Sequence, residues 1–142
     1  DEFRDLTYLQ AKEKLELMYA AVNNAGLKNI FKPIFRPPAW RLSPAAFDAC
    51  NDMGIELFAL LPEQYALDVY AGKEKEYAHK IVYSASYPPI KPLKLEEKTC
   101  ITYHACNWDK NYIGAENNFN ELVSFLQANI NDIQFCFIEE LL

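Results

Sequence analysis

Residues 34–44, IFRPPAWRLSP, constrain this chain more than any other stretch. A β-favouring run ends at Arg36 and meets Pro37 and Pro38. Proline fixes φ, lacks an N–H and pushes the preceding residue out of the helical region, so a strand entering here must stop and no helix can begin. Helix becomes possible again at Ser43, a favourable N-cap, with Pro44 in the first helical position. Arg36 and Trp40 therefore lie on a rigid loop at the carboxyl end of a strand, where β/α folds gather their ligand-binding loops. A cation and a large aromatic on such a loop suit a site that grips a polar, ring-shaped molecule.

The flanking sequence alternates between helical and strand-like periods. Thr7-Tyr8-Leu9-Gln10 is a capping-box pattern, and Ala11, Leu15, Met18, Val22 and Ala25 form one stripe, so a helix is predicted over 8–25 with Gly26 as its stop. Residues 29–36 read as a strand in which Pro33 delays pairing or marks an edge. A second helix is predicted over 44–53, with Phe47, Cys50 and Met53 on one side and Gly54 as its stop. The unbroken apolar run at 55–61 fits a strand buried on both faces, as in parallel sheets. A helical turn around 62–69 and a charged loop come next. Strands are expected at 80–85 and 99–106, joined by an ordered surface loop over 87–98. Beyond them lie a polar loop at 107–115 and a helix at 116–129 with Phe119, Leu122, Val123 and Leu126 facing inward. A last strand at 133–137 leads into the start of another helix.

Strands alternating with helices imply an α/β class with mostly parallel pairing. The pattern reads as one domain over 1–142. Beginning and ending on helices, it also reads as a piece of a larger fold, with an apolar flank to be covered by the remainder of that fold or by a second copy.

Charge and composition remove several function classes. A net charge of −6 gives no basic footprint for nucleic acid and no attraction to an anionic membrane surface. With four glycines, a glycine-rich phosphate loop is ruled out. No apolar run approaches the roughly 20 residues of a membrane span. The four cysteines are Cys50, Cys100, Cys106 and Cys136, and three of them lie inside apolar runs. They read as reduced, buried thiols, which leans toward a cytoplasmic compartment.

Two histidines are available for chemistry. His79 opens a strand and reads as a surface or core residue. His104 ends the strand TCITYHA just before a polar loop, a placement suited to a general acid or base and equally to a hydrogen-bonded strand-end residue. Both tryptophans come four positions after such a residue, Trp40 after Arg36 and Trp108 after His104. They suit a sugar groove or an ordinary core. Cys100, His104 and Cys106 share a strand face, but steps of roughly 7 Å per two residues keep positions 100 and 104 from reaching one ion. Nothing in the sequence marks Cys50 or Cys106 as a nucleophile activated by His104.

Phe35-Arg36-Pro37-Pro38-Ala39-Trp40, then Leu42-Ser43-Pro44 and a helix ending at Gly54, resembles a motif of polysaccharide deacetylases of the NodB-homology type. Ile101-Thr102-Tyr103-His104 is similar to that family's last motif, and Glu2-Phe3 with Leu6 resembles the segment just after its metal-binding histidines. The likeness covers most of this chain but only the later half or so of the family domain. It implies a distorted, incomplete (β/α) barrel in which a divalent metal, often zinc, activates water to attack a sugar acetyl group. Arg36 would orient a catalytic aspartate, the Ala39 N–H would help bind the oxyanion, and His104 would protonate the leaving group. Trp40, Trp108 and Pro38 would line the carbohydrate groove. The family's aspartate pair and metal-binding histidines are absent from these 142 residues, so this segment is expected to bind no metal and to be inactive alone. Ala39 stands where an aromatic is common, Thr102 where a leucine is usual, and the aspartate that would partner His104 has only Asp68 and Asp109 as candidates. The competing expectation is a catalytically inactive β/α carbohydrate-binding module.

Overall fold

Thr7 begins the first helix by reciprocal capping. Its side chain accepts a hydrogen bond from the Gln10 N–H, and the Gln10 side chain accepts one from the Thr7 N–H at 3.0 Å. Helix α1 spans Tyr8–Asn24. It ends with the Gly26 N–H on the Asn23 carbonyl and the Leu27 N–H on the Val22 carbonyl, while Gly26 takes φ +70°. This Schellman ending needs a left-handed residue at that position, which glycine supplies without strain. Helix α2, Pro44–Asp52, ends the same way, with Ile55 N–H on Cys50 O, Gly54 N–H on Asn51 O, and Gly54 at φ +82°.

The computed structural model describes residues 2–63, 65–73, 79–88, 90–103 and 115–142, with backbone alone at 65 and 115–117. The chain forms two compact units, Asp1–Val82 with Leu142, and Tyr83–Leu141.

In the first unit, strands β1 (Ile34–Phe35), β2 (Leu57–Leu60) and β3 (His79–Val82) form a parallel sheet in the order β1-β2-β3. Ile34 pairs with Leu57, and Leu57 in turn with His79. All four β2 residues are buried, as the unbroken apolar run requires of a central parallel strand. Helix α3, Tyr65–Tyr70, connects β2 to β3. The core lies between the sheet and helices α1 and α2. Phe47 stacks on Phe58 at 4.9 Å, and Tyr70 meets both rings edge-on at 5.3 and 5.8 Å. Ala11 and Leu15 are the buried residues of α1. The Tyr8 hydroxyl donates to Asp52 Oδ2 at 2.7 Å, joining the start of α1 to the end of α2.

In the second unit, β4 (Ser84–Ser86) pairs in parallel with β5 (Thr99–Ile101). Buried Ser86 accepts a hydrogen bond from the Lys94 N–H at 3.1 Å, which holds the intervening loop against the strand. Helix α4 spans Ala115–Ala128. The class is therefore mixed α/β with parallel strands in two small sheets.

Several expectations need correction. The strand predicted over 29–36 reduces to two residues, because the ladder begins at Pro33, whose carbonyl accepts from the Glu56 and Leu57 N–H groups. The run 80–85 is divided between two sheets at Tyr83. Residues 133–137 form no strand. Among the described residues nothing ladders with them, and Phe135 and Phe137 are 76% and 75% exposed. Phe119 does not face inward but is 54% exposed, whereas Leu122, Val123 and Leu126 are half-buried. Of the cysteines, Cys50 is buried, Cys100 half-buried and Cys136 exposed.

Candidate functional site

The loop after β1 is held by its apolar residues and displays its polar ones. Pro37 and Leu42 are fully buried, while Arg36 and Ala39 are exposed and Trp40 is half-buried. Phe35, at the loop's entrance, packs edge-on against Phe3 at 5.1 Å and Phe58 at 6.3 Å. At its exit, Ser43 is fixed three ways. Its N–H donates to the Phe3 carbonyl at 3.0 Å, its hydroxyl donates to the Leu6 carbonyl at 2.7 Å, and the same oxygen accepts from the Ala46 N–H at 3.0 Å. The N-terminal residues 3–6 thus brace the loop.

Between these anchors the backbone takes an uncommon path. Pro38–Trp40 make a 3-10 turn closed by Trp40 N–H on Pro37 O at 2.7 Å and Arg41 N–H on Pro38 O at 3.2 Å. Ala39 and Trp40 both have positive φ, 53° and 54°. Left-handed backbone costs a non-glycine residue roughly 1–2 kcal/mol, and such outliers cluster where a protein positions a functional group. The bend brings the Arg36 guanidinium to 5.7 Å from the Trp40 ring centroid.

Two groups of the loop are open. Among the described residues, none accepts a hydrogen bond from the Ala39 N–H, and no carboxylate lies within ion-pair distance of Arg36. An exposed N–H on a rigid turn can donate to a developing oxyanion, and an open guanidinium can bind a carboxylate. Buried Pro37 and the three Ser43 hydrogen bonds keep both groups in place without a ligand.

The structure brings Arg36, Pro38, Ala39 and Trp40 together on this one loop. His104, Trp108, Asp109 and Cys106 lie outside the described residues. Asp68 is exposed in the first turn of α3, and His79 is exposed at the start of β3. The Cys50 thiol is pushed up to about 12 by burial, which keeps it protonated and makes it a poor nucleophile. Burial also raises the Tyr103 phenol, whose hydroxyl donates to the Asn118 carbonyl at 3.3 Å. Among the described residues, no three His, Cys, Asp or Glu side chains converge to hold a metal ion. No helix among the described residues is long and apolar enough to cross a membrane.

Sequence reasoning placed the loop and its two anchoring prolines but missed the paired positive φ angles and the bracing by residues 3–6. Neither Ala39 nor Trp40 is a residue type that signals left-handed backbone. A scan against protein-family models, and searches of curated proteins and of solved structures, found no match to this chain.

Proposed function

We propose that this chain is the sugar-contacting part of a carbohydrate deacetylase-like hydrolase, one that removes acetyl groups from a polysaccharide. The observation that carries the reading is the braced loop at the carboxyl end of β1. It presents an open Ala39 N–H, an exposed Arg36 and the face of Trp40 within one turn. In such hydrolysis the acetyl carbonyl oxygen gains negative charge, and a preformed N–H aimed at it stabilises that charge without reorganisation. The Trp40 face would hold the apolar face of the sugar ring, with Pro38 beside it. Arg36 would orient a carboxylate that acts on the attacking water, and His104 would return a proton to the leaving amine or alkoxide.

The chemistry of this enzyme class is supplied by a divalent metal that activates the water. Among the described residues no three His, Cys, Asp or Glu donors converge on one point.

A second reading, a β/α carbohydrate-binding module without catalysis, rests on the Arg36–Trp40 stack alone. A cation and an aromatic face hold a sugar whether or not a bond is broken.

Acetate release from N-acetylated oligosaccharides, measured on the natural gene product that carries this chain, separates the two. The hydrolase reading expects turnover that falls about 10²–10⁴-fold in His104→Ala. Sugar binding with no acetate release supports the module, and neither binding nor release ends both readings.

A further inference from the structure

Two stretches of this chain combine exposed apolar residues with charges of opposite sign. Residues 27–36 hold Lys28, Lys32 and Arg36 and no acidic residue, within a chain of net charge −6. Leu27 and Ile30 there are 45% and 71% exposed. Beside them Tyr19, Val22, Asn23, Lys28, Phe31 and Met53 line an open hollow of about 390 Å³. The Tyr19 and Phe31 rings meet edge-on at 5.8 Å, so the hollow has a preformed aromatic wall.

Residues 130–140 are the converse. They hold Asp132, Glu139 and Glu140 and no cation. Ile130, Phe135 and Phe137 are 62%, 76% and 75% exposed. The backbone of 133–137 forms neither helix nor ladder, and at its end Phe137 is tied to Glu140, its N–H donating to the Glu140 carboxylate and its carbonyl accepting from the Glu140 N–H. Ile133 is half-buried, while Phe135 and Phe137 stand out to solvent. Exposed apolar side chains with acids at both ends match an apolar hollow that carries Lys28 on its wall.

We propose that residues 130–140 of one copy dock on the surface formed by residues 27–36 of a second copy, with a phenylalanine ring in the hollow beside Lys28. Each copy carries both surfaces, and the proposal is the reciprocal arrangement, in which two equivalent contacts make a two-fold dimer. The contact shares Arg36 with the proposed sugar site, but it centres on Lys28 and the hollow and does not depend on that reading.

Light scattering coupled to size exclusion, across a range of protein and salt concentrations, tests this. The expected result is a concentration-dependent dimer that weakens as salt rises. Ile30→Asp and Phe137→Asp should each give monomers, with unchanged circular dichroism because both side chains are exposed. Mixing the two variants should restore a heterodimer, since one intact contact remains between the surface of one and the tail of the other. Lys28→Glu should weaken the wild-type dimer at least tenfold at low salt. A monomer at every concentration, a dimer that survives both substitutions, or variants that fail to reassociate when mixed would each overturn the proposal.

Discussion

The Arg36 guanidinium lies 5.7 Å from the centre of the Trp40 ring, across a turn whose two central residues are left-handed. Pro37 and Pro38 fix the intervening backbone, so the stack results from the loop's shape rather than from side-chain attraction. An exposed cation–π pair contributes only about 0.5–1 kcal/mol. Arg36→Ala should therefore lower stability by no more than about 1 kcal/mol in urea unfolding. A loss of several kcal/mol would mean that Arg36 serves the fold instead of a ligand.

Ala39 is exposed and has φ 53°, so its methyl group costs strain and gains little packing. Ala39→Gly should raise stability by about 1 kcal/mol or less, because relief of left-handed strain exceeds the extra freedom of the unfolded chain. Ala39→Val should lower it, since a β-branched residue tolerates positive φ worst. Thermal unfolding of the three chains gives the order Gly, Ala, Val if the turn is as described.

Ser43 caps α2 and ties it to residue 6 through one hydroxyl. Ser43→Ala removes both hydrogen bonds and leaves the Leu6 carbonyl without this donor. The expected loss is about 1–2 kcal/mol. Ser43→Thr keeps a hydroxyl at the cap and should retain most of the stability. Denaturant midpoints of the two variants check this.

Burial pushes the Cys50 thiol from its ordinary 9.0 up to about 12. The folded thiol thus holds its proton more tightly than the unfolded one. The stability linked to that proton is complete below pH 9 and is lost as pH rises from 9 toward 12. Tyr8 adds to the same alkaline limb, since its hydrogen bond to Asp52 raises its phenol. Cys50→Ala should leave a shallower decline between pH 9 and 12 than wild type. In the native state at neutral pH, a thiol reagent should modify exposed Cys136 and spare Cys50.

Much of the first unit was legible in the sequence because local chemistry dictated it. Thr7 and Ser43 are caps, Gly26 and Gly54 are left-handed stops, and residues 55–61 allow no polar face. The features that stayed hidden depend on distant partners. Residues 133–137 have the composition of a strand, but a strand exists only against a neighbour, and here none is described. Phe119 fits an inward stripe by spacing, yet it stays on the surface of α4. At the candidate site, Arg36 and Trp40 were readable from the diproline that separates them. The left-handed turn that brings their side chains together was not, because it is imposed by buried Pro37 and Leu42 and by the residue 3–6 brace.

The most direct test of the sugar-site reading is a titration of the folded chain with an N-acetylglucosamine oligosaccharide, monitored by nuclear magnetic resonance of the indole N–H signals. The chain has two tryptophans, so Trp40→Phe assigns the Trp40 signal by its disappearance. The expected result is a saturable shift of this signal and binding at least tenfold weaker in Trp40→Ala. A Trp40 signal that stays fixed up to millimolar sugar, or binding that Trp40→Ala leaves unchanged, would contradict it.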